Sequence, residues 1–276
     1  MEPDTSSIRS MSTSSMGMLG LVVGLLGLWA LQACTDNNTS PAEVDAGEMD
    51  GDSAVVDAGP ACPRTSDAGY VRNRNRLTDD LTYWPREVLE EGGIPILIDP
   101  DGTPDLPSAT TEDAIARAMA VWTSAAEECG AGLVVFRRVA EGEPLTVEEA
   151  LGYSAEGPNM NVLTFVTDEE TWRSAGRSQF TIAETNSTVR ASTSDIIDVD
   201  IELNDAFFTF TDTVPLPDDG LDLQSVLIHE LGHLLGFDHT QDPESVMWPT
   251  EEEGVDLKRE LLPMDRAGVC EAFGCY

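Results

Sequence analysis

The chain carries only three histidines, and all of them fall in the run His229-Glu230-Leu231-Gly232-His233-Leu234-Leu235-Gly236-Phe237-Asp238-His239. On a helix, residues four apart lie one above the other, so His229 and His233 would offer two imidazole nitrogens to one ion. Gly236 suits a left-handed helix end, which residues bearing a Cβ resist, and a reversal there would return His239 to the same ion. Three neutral nitrogen donors with one position open describe a catalytic zinc site rather than a closed structural one. Glu230, offset by one residue, would stand outside the ligand set as a general base, beside a water that zinc acidifies toward a pKa of about 7. A lone His-Glu-x-x-His also arises by chance on helices. Histidines kept for ordinary structural reasons would be scattered, not gathered within eleven residues.

The elements that must position these residues can be read from periodicity. Leu223, Leu227, Leu231, Leu234 and Leu235 make a helical apolar face, with His229 and His233 on the other side. Ile94 to Asp99 reads as a strand closed by the turn-rich Asp99-Pro100-Asp101-Gly102. Thr110 and Asp113 predict a helix cap and its box partner, after which Ile115, Ala118, Met119, Trp122, Ala126 and Cys129 recur at helical spacing. Leu133 to Val139, Asn161 to Val166 and Gln179 to Thr185 read as further strands. Ile197, Val199, Ile201 and Leu203 alternate with Asp198, Asp200 and Glu202, as in a strand with one face in the core and one in water.

Residues 229, 230, 233, 236 and 239 match the pattern His-Glu-x-x-His-x-x-Gly-x-x-His, and here the chain resembles the metzincin metallopeptidases. Ser245-Val246-Met247-Trp248-Pro249 resembles the methionine turn of the matrixins, the matrix-metallopeptidase branch, and the likeness extends more weakly from Trp84 to the C-terminus. The resemblance implies an α+β fold: a twisted mixed sheet with an antiparallel edge strand, an active-site helix, and a last helix near Pro263 to Phe273. It further implies zinc on His229, His233 and His239, Glu230 as general base, and Gly236 and Met247 as structural parts of the site. By the same likeness Trp248, Pro249 and Thr250 wall the pocket for the side chain beyond the scissile bond. The edge strand, assigned to Gln179 to Thr185, would receive an extended peptide through main-chain hydrogen bonds. The expected activity is endopeptidase cleavage of a protein or peptide. A surface binding module with a relic zinc site, and a zinc hydrolase of non-peptide substrates, are the alternatives.

Two departures from the family stand out. Cys62-Pro63-Arg64 has the residues of the family's latency cysteine motif in another order, and no histidine remains for a second zinc. One zinc is therefore expected. A further metal would have to use oxygens, with Asp198, Asp200, Glu202 and Asp205 as candidates, and such a site favours structural calcium.

Ahead of the catalytic part, the uncharged Leu-, Val- and Gly-rich stretch from Gly17 to Leu31 reads as an export signal, too short to span a membrane comfortably. It ends in Leu31-Gln32-Ala33-Cys34, which resembles a bacterial lipoprotein box with Cys34 as the lipidated residue. Ordinary cleavage nearby, with Cys34 incidental, is the other reading. The acidic, Asp-Ala-Gly-repeating stretch that follows cannot bury a core and suits an extended tether. The expected organisation is thus signal over 1–33, tether over 34–69 and catalytic domain over 70–276. The expected place is the cell envelope or the outside, as a monomer touching membrane only through its lipid. A net charge of −36 disfavours nucleic acid and anionic surfaces as partners. Cys62, Cys129, Cys270 and Cys275 fit two disulfides in an oxidising compartment, in any of three pairings.

Overall fold

The computed structural model describes residues 31–32, 69–130, 135–139, 145–157, 159–251, 253–254 and 257–273. Cys34, Cys62, Cys275 and nearly all of the signal and tether segments lie outside them. The main elements in chain order are β1 (Ile94–Ile98), α1 (Ser108–Glu128), β2 (Phe136–Val139), β3 (Asn161–Val166), β4 (Ala183–Val189), β5 (Ile196–Asn204), α2 (Leu223–Leu234) and α3 (Pro263–Phe273). The strands form one five-stranded sheet in the order β2-β1-β3-β5-β4. The first four run parallel and β4 pairs antiparallel with β5 at the edge, so the fold is α+β with a mixed sheet. Val71–Arg72 adds a short antiparallel ladder to Phe237–Asp238 beyond α2, Phe210–Thr211 pairs with Leu221–Asp222 ahead of it, and Leu31–Gln32 pairs with Thr250–Glu251.

A single large apolar cluster joins β1, α1, β3, β5, α2 and α3. Within it, Ile115, Ala118, Met119, Trp122 and Ala126 of α1 are all buried, as their spacing predicts. Trp122 stacks on Phe237 with ring centroids 5.4 Å apart, and its indole N–H donates to the Ile228 carbonyl of α2 at 2.9 Å. The Cys129–Cys270 disulfide ties the end of α1 to α3 across 141 residues of chain.

Four expectations need correction. The helix α1 begins at Ser108, with Pro107 at its cap and no side-chain cap bond, so Thr110 is not the cap residue. Proline has its φ already set for helix entrance and no N–H to lose, and its carbonyl accepts from the amides of Thr110 and Thr111. Next, the edge strand starts at Ala183 rather than Gln179, because a turn occupies the preceding residues: the Trp172 indole donates to the Ser178 carbonyl, and so does the Thr181 amide. The Leu133-to-Val139 strand is present over Phe136–Val139, with 131–134 outside the described residues.

The largest surprise concerns β5. The alternation predicts a wet acidic face, yet Asp198, Asp200 and Glu202 are buried, like Val199, Ile201 and Leu203. The strand has partners on both sides, and its polar face is roofed by neighbouring chain: Asp200 accepts from the amides of Gly152 and Val162, and Glu202 from Arg177. Nor do these acids form a cation cage with Asp205. Among the described residues, the only set of three or more His, Cys, Asp or Glu donor atoms within 4.8 Å of one another is the histidine triad.

Burial, reinforced by the neighbouring Asp200, pushes Asp198 up from its ordinary 3.8 to about 8. A carboxyl whose pKa rises on folding contributes stability below its unfolded value and loses that contribution as pH climbs through the folded one. Asp198→Asn, which cannot ionise, should therefore gain on the wild type as pH rises from 5 to 8. Urea midpoints at the two pH values measure it, and a gap that stays constant would refute the buried neutral acid.

Candidate metal centre

The helix α2 is fixed at both ends by features its sequence encodes. Asp222 caps it, accepting from the Ser225 amide at 3.0 Å, and Arg259 holds the same carboxylate. At the other end Gly236 takes φ +89°, a left-handed value that few residues but glycine adopt, and its amide donates to the His233 carbonyl at 2.9 Å. The Gly236 carbonyl then accepts from the Asn73 amide and the Arg72 guanidinium, which also reaches the Thr82 carbonyl. The buried Trp84 indole donates to the Leu234 carbonyl at 2.7 Å, satisfying an acceptor that has no partner further along the helix. Every residue of α2 is buried, so its histidine side faces protein and not solvent, unlike an ordinary amphipathic surface helix.

His229, His233 and His239 come together as their spacing predicts. The Nε2 of His233 lies 3.0 Å from that of His229 and 3.2 Å from that of His239. Tetrahedral zinc at about 2.0–2.1 Å from its ligands would hold two nitrogens roughly 3.3 Å apart, so the donor set fits the ion. The outer nitrogens select the tautomer. His229 Nδ1 lies 2.7 Å from the Val246 carbonyl and His233 Nδ1 lies 2.9 Å from the Phe237 carbonyl. A carbonyl can only accept, so both Nδ1 atoms carry the proton, leaving each Nε2 a lone pair for metal.

Two of the rings are also kept uncharged. Burial, then the nearby His233 and His239, hold His229 well below the usual imidazole range, against the Val246 carbonyl, which pulls upward. His239 is pushed down to about 4, by burial first and His233 second, with Asp238 opposing. Neutral imidazole is the ligand form.

Glu230 is fully buried and stands outside the three-nitrogen cluster, as its offset predicts. Met247 lies beneath the helix. A Cβ on Gly232, which fills one of the motif's unspecified positions, would stand 2.3 Å from Met247 Sδ and 2.9 Å from Trp122 Cζ2, so a side chain there would have to displace them. The methionine turn is itself braced, with the Met247 amide donating to Ser245 Oγ, Ser245 Oγ to Asp265 of α3, and the Thr240 amide to the Met247 carbonyl. Its direct touch on the triad comes from the carbonyl of Val246, one residue earlier. Trp248, Pro249 and Thr250 continue from the turn as a half-buried stretch, and Lys258 Nζ donates to the Thr250 carbonyl at 3.1 Å.

Sequence reasoning passed over three groups. Gly232 packs against Met247. Arg177 joins Glu184 of β4 to Glu202 of β5, all three nearly buried. Thr185 donates its hydroxyl to Glu230 Oε2 at 2.5 Å. The sequence signals only the first, through a glycine inside a helix. The other two depend on which strand lies beside which.

A fold of this kind, five strands and three helices with a His-Glu-x-x-His helix beneath an antiparallel edge strand and a third histidine beyond a glycine turn, defines a class of proteins. The profile of the matrixin family matches residues 97–274, well over half of the chain, and the chain belongs to that family. Individual likenesses are shorter. The chain is similar to the Arabidopsis thaliana protein Metalloendoproteinase 5-MMP, at 41% identity over 54 residues, 20% of this chain and 15% of that one. It is similar to Felis catus Matrilysin at 40% over 55 residues, 20% of this chain and 21% of the other. With Rattus norvegicus Stromelysin-3 the identity is 36% over 70 residues, 25% of this chain and 14% of the relative. The matched segment thus spans about a fifth or less of each relative's length.

Gly232→Ala isolates the packing under the site. Alanine is the better helix former by up to about 1 kcal/mol, but overpacking at a full site costs about 1–3 kcal/mol. The variant should be less stable in denaturant titration. A more stable one would show that Met247 and Trp122 yield freely.

Proposed function

We propose that this chain is a zinc-dependent endopeptidase, with His229, His233 and His239 holding one zinc ion and Glu230 acting as general base. The observation that carries this reading is the convergence of three imidazoles, two of them oriented by backbone carbonyls, beside a buried carboxylate that does not join them. A site that merely stored metal would have no use for that carboxylate. Membership of the matrixin family supports the same reading.

When bound, zinc supplies Lewis acidity that polarises a carbonyl and makes water a nucleophile near neutral pH. The chain's own residues supply the rest. An extended peptide would add to the free side of β4 through main-chain hydrogen bonds, which fixes its direction across α2 without selecting its side chains. Glu230 takes a proton from the attacking water as the water oxygen bonds to the carbonyl carbon. As the carbon–nitrogen bond breaks, Glu230 gives that proton to the departing amine. The stretch Trp248 to Thr250 is assigned to the pocket beyond the scissile bond. Calcium on Asp198, Asp200, Glu202 and Asp205 gains no support from their arrangement.

Casein zymography with and without a chelator, alongside elemental analysis, tests the reading. The expected result is chelator-sensitive cleavage and one zinc per chain, with Glu230→Gln keeping its zinc and fold but losing about a hundredfold or more in turnover. Zinc without cleavage would favour a binding module with a relic site, and a Glu230→Gln variant at wild-type rates would remove Glu230 from its role.

We further propose export and anchoring through Cys34, on the apolar stretch ending at Ala33-Cys34 and the acidic stretch behind it. No helix among the described residues is long and apolar enough to cross a membrane. Cys34→Ser should shift the protein from membrane to soluble fractions or stall its processing. An unchanged N-terminal mass and fractionation would favour a plainly secreted protein.

A further inference from the structure

The edge strand β4 does more than offer its backbone to a substrate. It pairs with β5 in the register Ala183↔Leu203, Glu184↔Glu202 and Thr185↔Ile201. Successive side chains of a strand point to opposite faces. Glu184 goes to the face away from α2, where Arg177 binds its carboxylate at 2.5 Å and binds Glu202 of β5 as well. Thr185 must then go to the α2 face. There its hydroxyl donates to Glu230 Oε2 at 2.5 Å, in a contact that is buried on both sides.

That length belongs to hydroxyl-to-carboxylate bonds with a charged acceptor, the strong class. A threonine is also a stiff donor, because branching at Cβ restricts its χ1. The pinned register, the Arg177 bridge and the branched side chain together fix the hydroxyl in space, and the hydroxyl fixes one oxygen of Glu230.

Resting on the reading of Glu230 as the base, we propose that Thr185 is a positioning residue for peptide hydrolysis, holding Oε2 so that the carboxylate keeps one orientation toward the reacting water. Glutamate's terminal torsion is broad and roughly two-fold, so an unheld carboxylate samples many orientations unfit for proton transfer. Thr185 removes that freedom from outside the ligand set. Its own backbone lies in the strand that a peptide would extend, so the substrate's seat and the base's orientation share one short piece of chain.

The test uses the full zinc-loaded chain, a fluorescence-quenched casein substrate, and three variants. Thr185→Val keeps the shape and the branching but cannot donate, and should lower kcat by about tenfold or more with KM within about twofold and zinc content unchanged. Thr185→Ser restores the donor and should recover most of the rate. If valine overpacks and the protein fails to fold, Thr185→Ala serves in its place. The decisive arm is Thr185→Val in the Glu230→Gln background, where it should cost nothing further, since the residue it acts through is gone. The proposal is overturned by a Thr185→Val variant at wild-type kcat, by equal losses in Val and Ser, by a loss confined to KM, or by a full additional loss in the double variant. Failure of the base reading looks different: Glu230→Gln alone would then remain active.

Discussion

Three imidazoles that converge on one metal position must be neutral and each turned to offer a lone pair, and the surrounding structure answers to that demand. Charged rings would repel at such range and pay the cost of leaving water. Burial keeps His229 and His239 from protonating, and two backbone carbonyls choose the nitrogen that keeps the proton on His229 and His233. Those carbonyls come from Val246 and Phe237, on the chain beyond the helix. The chain after α2 must therefore return twice to the same spot, once to deliver His239 and its neighbour Phe237, and once to deliver Val246.

The first return depends on Gly236 and on what holds it. Its carbonyl is gripped by the Asn73 amide and by Arg72, so a residue 164 positions earlier in the chain stabilises the reversal. The second depends on Ser245 and Asp265, which anchor the turn to α3. The helix between them is close-packed. Trp122 leans on both ends of the arrangement, bonding the Ile228 carbonyl, stacking on Phe237 and limiting the room over Gly232. One indole of α1 thus sets the height of the helix that carries His229, Glu230 and His233.

What the sequence made legible follows from what is local. Helical spacing brings His229 and His233 to one face, glycine marks the reversal, and the leucine repeat marks the core side, because each is decided within a few residues. Asn161–Val166 begins and ends where its pattern says, and Pro263–Phe273 where the family resemblance puts the last helix. The misread parts are those decided by partners. Alternation from Val199 to Leu203 correctly separates two faces, though a register shift ahead of it buries Ile196 and not Ile197; it says nothing of what covers the second face, and burial of Asp198 and Asp200 follows from chain packed on that side. The edge strand lies later in the chain than its apolar residues suggest, for the same reason. Asn186, Ser187 and Thr188 have little apolar pattern of their own, and they are strand because β5 pairs with them.

The edge strand shows how one short element can meet demands that would otherwise conflict. To receive a peptide it must leave one row of backbone groups unpaired, and an unpaired edge is prone to fray or slip register. A one-residue slip would exchange Glu184 and Thr185, sending an acid toward the base and withdrawing the hydroxyl. The Arg177 bridge opposes that slip directly, because it joins Glu184 to the residue opposite it, Glu202, and would be broken by any other pairing. A buried ion bridge is a weak source of net stability, yet removing one partner leaves an uncompensated buried charge, which makes it well suited to enforce a register. The cost of burying Arg177 between two carboxylates is thereby tied to the site: the bridge on one face of β4 keeps Thr185 aimed at Glu230 on the other.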